Sequence, residues 1–319
     1  MKDDIALIFP GQGPQYEGMG RDIYNKFPTA RNVYEIAEDS LGVKLLFNPR
    51  TSLFRNLADY YQKIRLKGTD YAQLVIFVTN HAFYEVLKEK MPSISYRATT
   101  GHSLGLYNAI VAAGAMSFSD TMKLVRKRGR YMHDVSKKAN GGLVTVFLKD
   151  GEDLNALARS LEKKGVYVAV FNTHKQIVVG GPKNALDDVI DEFGQRNVRK
   201  LEIGCPSHTI YMQEAADMFK DDIDSFDFRL PSMPIVTNSS ARFIVDPRDI
   251  QQELYEQLYK PVKWQQSVEI LVQQGIQTLI VVGADKRNVI KRIIEQINPN
   301  VKVFGLKDAE SLEVIANKI

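Results

Sequence analysis

The segment Thr100-Gly101-His102-Ser103-Leu104-Gly105-Leu106-Tyr107 constrains this chain more than any other, because it sets the pattern Gly-x-Ser-x-Gly between an extended stretch and an apolar one. A serine hydroxyl is a weak nucleophile. It becomes an effective one on a tight strand-to-helix turn, where a base and backbone N–H donors can reach it. Gly101 and Gly105 lack a β-carbon and so permit that turn and close packing around it. Residues 96–100 read as the end of a strand, and residues 104–115 (LGLYNAIVAAGA) as a helix with Gly114 near its end. The plainer alternative for Ser103 is a helix N-cap after a turn.

With 319 residues and 44% hydrophobic content, the chain can build one large domain, or a domain carrying an insertion, around a real core. The formal charge of +4 is small for this length, and Lys and Arg alternate with Asp and Glu, which argues against a nucleic-acid surface. A mildly basic face still suits an acidic partner. A single cysteine, Cys205, excludes an internal disulfide framework and fits a reducing compartment. No apolar run reaches membrane-spanning length. Met1-Lys2-Asp3-Asp4 leads straight into a strand pattern, so the expectation is a cytoplasmic protein without a membrane segment. The histidines and the cysteine form no CxxC or HExxH spacing, so no metal site is expected.

Ile5-Ala6-Leu7-Ile8-Phe9 is a continuous apolar run, the signature of a strand buried on both faces in a parallel sheet. It ends in Pro10-Gly11-Gln12-Gly13-Pro14-Gln15, a loop at the carboxyl end of a buried strand, where open α/β sheets bind ligands. Residues 16–90 read mostly as helices, with 70–90 the clearest and apolar enough to be packed centrally. Ser117 offers an N-cap for a helix to about residue 136 that carries Arg126, Lys127, Arg128 and Arg130. Such a charge run is ordinarily a solvated face. Helical spacing nevertheless sends Arg128 in a different direction from Arg126 and Lys127, and an arginine in a cleft offers a fork of donors matched to a carboxylate.

After Ala139-Asn140-Gly141-Gly142 the pattern changes to strand 143–148, helix 151–164, strand 166–172, strand 176–180, helix 183–196 and strand 198–203. This βαββαβ order is ferredoxin-like. The expected organisation is therefore an α/β-hydrolase-like large domain with a mainly parallel sheet, made of residues 1–138 and 205–319, and an inserted small domain at 139–204. The crevice between them is the default substrate site. Residues 234–238 and 278–283 read as further strands of the large domain, and a basic helix and a last strand at 301–305 follow.

A serine nucleophile needs a base, and five histidines are present. His102 adjoins Ser103, but neighbouring side chains on a turn point apart. His81 lies in the apolar helix as a core residue, His133 extends the basic helix, and His174 sits in a polar loop. His208 follows Cys205-Pro206-Ser207 at the crossing back into the large domain, a place from which it can face Ser103.

Six segments in this order, Phe9-Pro10-Gly11-Gln12-Gly13, Gly101-His102-Ser103-Leu104-Gly105, Arg128-Gly129 before Met132, Asn172 with Gln176-Ile177-Val178-Val179-Gly180, Pro206-Ser207-His208 and Gln257-Leu258-Tyr259-Lys260-Pro261-Val262-Lys263-Trp264, resemble the malonyl-CoA:acyl-carrier-protein transacylases. That family includes the stand-alone, trans-acting acyltransferases of polyketide synthases. The resemblance implies that Ser103 carries the acyl group as an ester and that His208 is its base, oriented by the backbone carbonyl of Gln257 instead of a carboxylate. It further implies an oxyanion hole from the N–H groups of Gln12 and Leu104, and an ion pair between Arg128 and the malonyl carboxylate. His102, Leu106, Asn172, Ser207 and Asn238 are then expected around the substrate.

The sequence departs from the family at Leu106, where GHSLGE is common, at Val282-Gly283-Ala284-Asp285-Lys286, where a GPGK-like loop is common, and at Thr173-His174-Lys175. The first departure bears on acyl preference. The expected activity is transfer of a malonyl-type unit from coenzyme A to the phosphopantetheine thiol of an acyl carrier protein, by a ping-pong route that supplies polyketide or hybrid assembly. No permanently bound cofactor, nucleic acid or membrane is expected, and the sequence leaves the oligomeric state open, a monomer being compatible with it. An editing acyl hydrolase with the same residues is the first alternative, and Arg128 argues against it. A non-catalytic carrier-protein docking module is the second, and retention of Ser103, His208 and both oxyanion segments argues against that.

Overall fold

In the structure, a computed structural model, residues 4–42, 45, 68–283 and 285–319 are described. Strand β1 (Ile5–Phe9) is buried at every position. Ile5, Leu7 and Phe9 join one core cluster and Ala6 and Ile8 another, so both faces of the strand are covered, as its unbroken apolar run requires. Strand β9 (Thr278–Val282) repeats this, with Ile280 and Val282 on the first side and Leu279 and Val281 on the second. They are neighbours in a six-stranded sheet of order β10-β9-β1-β2-β7-β8, whose other members are β2 (Ala98–Gly101), β7 (Ile235–Val236), β8 (Phe243–Ile244) and β10 (Lys302–Leu306). All pairs are parallel except β7 with β8.

On the first side of the sheet lie α1 (Arg21–Lys26), α2 (Pro28–Leu41), α3 (Thr69–Lys90), α4 (Gly105–Ala112) and α5 (Phe118–Ala139). Helix α5 begins where the Ser117 hydroxyl accepts from the Asp120 N–H and ends at Asn140 in a left-handed conformation. Its buried positions, Thr121, Met122, Leu124, Val125, Arg128, Gly129, Met132, Val135 and Ser136, recur every three or four residues. Arg128 therefore sits on the inward stripe while Arg126 and Arg130 are exposed. Gly129 lets α5 cross α3 closely, since a Cβ there would fall 2.9 Å from the Cα of Asp70.

Between α5 and residue 201 the chain forms a second sheet from β3 (Gly141–Phe147), β4 (Tyr167–Thr173), β5 (Gln176–Pro182) and β6 (Val198–Lys200), with α6 (Leu154–Glu162) and α7 (Lys183–Phe193). The order β4-β5-β3-β6 and wholly antiparallel pairing are those of a ferredoxin-like fold. One face builds its own core with Leu161, Leu186 and Val189, and the other places Leu143, Ala169, Val170 and Val178 in the core beneath the large sheet. A parallel bridge between Val170 and Val262 ties β4 to the segment after α9 (Pro247–Glu256).

The boundaries differ from expectation for local reasons. Pairing in β6 stops at Lys200, although the Leu201 N–H still reaches the Leu143 carbonyl. The strand expected over 234–238 is two residues long, because the Thr237 N–H turns to Arg242 in the hairpin to β8, which was not expected. Met1, Lys2, Asp3, Ala284 and the stretches 43–44 and 46–67 lie outside the described residues. The remaining helices are α8 (Gln213–Asp224), α10 (Trp264–Gln273), α11 (Val289–Ile297) and α12 (Ala309–Ala316). None of the described helices is long and apolar enough to cross a membrane.

Candidate active site

Strand β2 delivers the chain into the turn that bears Ser103, and both flanking glycines are sterically required. A Cβ on Gly101 would overlap the Gly105 carbonyl carbon, and one on Gly105 would overlap the Phe9 carbonyl. Ser103 itself is left-handed, with φ of 52°, a conformation that costs a non-glycine residue energy and is found where a turn is held from outside. The restraints are visible: the Ser103 N–H donates to Asn238 Oδ1 at 2.8 Å, the Ser103 carbonyl accepts from Gln257 Nε2 at 3.0 Å, and the His102 N–H donates to the Phe9 carbonyl at 2.9 Å.

The Ser103 hydroxyl lies 2.7 Å from His208 Nε2. His208, 4% exposed and also left-handed at φ 61°, donates from Nδ1 to the Gln257 carbonyl oxygen at 2.6 Å, which leaves Nε2 as the acceptor facing the hydroxyl. Burial pushes the His208 pKa down to about 3, the nearby Arg128 charge acts in the same direction, and the Gln257 hydrogen bond opposes both. The imidazole is thus neutral at physiological pH, the form that can take a proton.

Arg128 approaches from α5. Its guanidinium donates to Gln73 Oε1 (2.6 Å), Ser103 Oγ (3.2 Å) and Gln257 Oε1 (3.3 Å), and its Cζ lies 5.4 Å from the centre of the Tyr107 ring. It is 1% exposed, and burial depresses its pKa. Among the described residues no carboxylate lies within ion-pair distance of it, and its Nε has no hydrogen-bond partner. A buried cation so placed favours an anionic ligand beside the serine.

The glycine-rich loop closes the site from β1. Asn80 donates to the Pro10 carbonyl at 2.9 Å, and a Cβ on Gly11 would meet the His102 carbonyl and come within 3.5 Å of Leu104 N. The N–H groups of Gln12 and Leu104 have no protein acceptor among the described residues. From the second sheet, Asn172 Oδ1 stands 3.3 Å from His102 Nε2, and the His102 ring packs edge-on against Trp264. Burial lowers the His102 pKa to about 4.

Ser103, His208, Gln257, Arg128, His102 and Asn172 are therefore brought together. Asn238 and Leu106 are placed differently from expectation. Asn238 is wholly buried and both ends of its amide are engaged, Oδ1 by Ser103 and Gln257 and Nδ2 by the Gly101 carbonyl, so it braces the elbow and does not face a substrate. Leu106 is 1% exposed and belongs to the main core. Ser207 is buried beside His208. His174 bonds to Gln265, and Lys175 pairs with Asp150. The departure at Asp285 has a local role: its carboxylate accepts from the N–H groups of Val289 and Ile290 and caps α11. His81 stacks on Phe118 inside the helical layer. Gln73 was not singled out by the sequence, where one glutamine of an apolar helix carries no signal. Among the described residues no group of three His, Cys, Asp or Glu side chains is arranged to hold a metal.

Comparison with known proteins gives the family of the chain. The acyl transferase domain model matches residues 6–290. The malonyl CoA-acyl carrier protein transacylase of Bacillus subtilis is 32% identical over 315 residues, covering 97% of this chain and 95% of the relative, and that of Haemophilus influenzae is 29% identical over 315 residues, covering 98% and 97%. Among solved structures, the Streptococcus pneumoniae MCAT superposes with a TM-score of 0.86 at 30% identity, covering 99% of this chain and 100% of the other. A malonyl-transacylase solved with its type II polyketide-synthase acyl-carrier protein superposes with a TM-score of 0.88 at 27% identity, covering 99% and 100%. The chain belongs to the acyl transferase family, among the malonyl CoA-acyl carrier protein transacylases.

Proposed function

We propose that this protein transfers a malonyl group from coenzyme A to the phosphopantetheine thiol of an acyl carrier protein through an ester on Ser103. The observation that carries this reading is Arg128, a buried guanidinium 3.2 Å from the Ser103 hydroxyl with no acidic partner among the described residues. A malonyl thioester supplies the missing carboxylate and places its carbonyl carbon next to the serine.

In the first half-reaction His208 Nε2 takes the hydroxyl proton as Ser103 Oγ attacks the thioester carbon. The oxyanion that forms is met by the N–H groups of Gln12 and Leu104. Collapse expels the coenzyme A thiolate, which takes the proton from His208. In the second half-reaction His208 takes the proton of the carrier thiol, the sulfur attacks the ester, and Ser103 leaves with that proton. The carboxylate on Arg128 has a further effect: it offsets the positive charge that holds down the basicity of His208. Residues 1–138 and 205–319 act as the catalytic unit, and the unit at 139–204 brings Asn172 to its edge. The reaction serves fatty-acid and polyketide assembly alike, and the likeness to a transacylase solved with its polyketide-synthase carrier protein supports the second setting.

The test is to incubate the protein with malonyl-CoA and a holo carrier protein, and to measure malonyl-carrier thioester against free malonate. Carrier thioester as the main product supports transfer. Free malonate as the main product, with or without the carrier, replaces transfer by hydrolysis.

A further inference from the structure

Glu253 is a buried carboxylate outside the machinery assigned above. It is 3% exposed, and among the described residues only it and Asp285 are acidic side chains buried to this degree. Asp285 caps its own helix, whereas Glu253 serves a loop that is distant in sequence. Its Oε1 accepts from the N–H groups of Asn238 at 2.7 Å and Ser239 at 3.0 Å, and its Oε2 accepts from the Ser239 hydroxyl at 2.5 Å. Burial raises its pKa to about 7 against the opposing pull of these three donors.

The loop it grips holds the nucleophile turn. Asn238, once its main chain is fixed, aims Oδ1 at the Ser103 N–H and Nδ2 at the Gly101 carbonyl. Gln257 stands four residues after Glu253, hence on the same side as α9 ends, and donates to that same Oδ1 at 3.0 Å. The two residues act as a bracket: Glu253 fixes the loop's main chain, and Gln257 fixes its amide together with Ser103 and His208. The N–H of a left-handed serine, held by one amide, depends on where that amide is anchored.

We propose that Glu253 is a positioning residue for the nucleophile, fixing the Asn238 main chain so that the Asn238 amide holds Ser103 in its left-handed conformation. Removing the carboxylate releases two buried N–H groups, and the loop then relaxes toward other acceptors. Ser103 drifts from His208, while the guanidinium of Arg128 stays in the site on its shortest hydrogen bond, to Gln73. The effect therefore falls on the rate of acylation and is blind to the charge of the acyl group, unlike any change at Arg128.

This proposal rests on the transacylase reading for its kinetic test and is independent of it for a second one. Glu253→Ala and Glu253→Met are compared with Glu253→Gln, whose remaining oxygen still accepts from both N–H groups. Rates are taken per folded molecule, for acylation by malonyl-CoA and acetyl-CoA and for labelling of Ser103 by a fluorophosphonate, which needs no carboxylate pocket. The apolar variants should lose about tenfold or more in kcat with both donors, at nearly unchanged KM, as a small misplacement of a reacting group does. Fluorophosphonate labelling should slow in parallel, and Glu253→Gln should recover most of the rate in all three assays. Apolar variants that match the native rates per folded molecule overturn the proposal. So does a failure of both apolar variants to fold, which would assign Glu253 to the fold as a whole. If the native protein takes no malonyl group but fluorophosphonate labelling still slows in the variants, the transacylase reading fails and the positioning role stands.

Discussion

His208 Nδ1 stands 2.6 Å from the main-chain carbonyl oxygen of Gln257, so a peptide group occupies the place that a carboxylate takes in a Ser-His-Asp triad. The same residue's side chain reaches Ser103, Asn238 and Arg128. Gln257→Ala keeps the carbonyl and loses the rest. We expect kcat/KM for malonyl transfer to fall about tenfold to a hundredfold in this variant, and His208→Ala to lose several orders of magnitude by removing the base itself. Steady-state kinetics of the two variants side by side check this ordering, and an equal loss in both would place Gln257's importance in its side chain.

Arg128→Ala separates recognition from chemistry. Loss of one partner of a buried charge pair costs about 2–5 kcal/mol, and here it should fall on malonyl transfer alone. Acetyl transfer should hold or rise, since the variant also removes a charge that lowers the His208 pKa. Acylation rates with both donors decide it, and a parallel loss with both would make Arg128 structural.

Acid should destabilise the fold through its histidines. His81 and His208 are pushed down to about 3 and His102 to about 4, mainly by burial. Below the unfolded value near 6.5 the unfolded chain binds these protons and the folded one does not. Their contribution is therefore complete above about pH 6.5 and is lost as pH falls toward 4 for His102 and toward 3 for His81 and His208, at up to about 1.4 kcal/mol per pH unit for each histidine. Glu253, raised to about 7, acts with the opposite sign over 4.5 to 7, and Asp285, also raised by burial, acts with it, but these are two groups against three. Urea midpoints should be lower at pH 5 than at pH 7, and equal midpoints would contradict the burial of these rings.

Gly101→Ala tests the close packing of the elbow. The added methyl collides with backbone atoms of Gly105, which can give way only if β2 and α4 separate. We expect a loss of about 1–3 kcal/mol or more, typical of an overpacked core, together with loss of Ser103 labelling. An unchanged melting temperature would mean that the turn is looser than described.

Much of this arrangement was legible because its signals are local. The buried runs of β1 and β9 declare strands covered on both faces, and the glycines around Ser103 declare the elbow. Arg128 was separable from Arg126 and Lys127 by helical spacing alone. The supports were not legible. Glu253 meets the 238–239 main chain, and Gln73 meets Arg128 across two helices, contacts that exist only once the layers have packed. Asn238 was expected around the substrate and its amide instead meets Ser103, Gln257 and Gly101, since nothing in a sequence says which way a buried amide faces.

The most direct measurement is intact-protein and peptide mass spectrometry after exposure to malonyl-CoA. One malonyl ester on the peptide containing Ser103, absent from Ser103→Ala and discharged by a holo carrier protein, is the predicted result. An adduct that persists at the same stoichiometry in Ser103→Ala, or one found on another residue, would contradict the assignment of Ser103 as nucleophile.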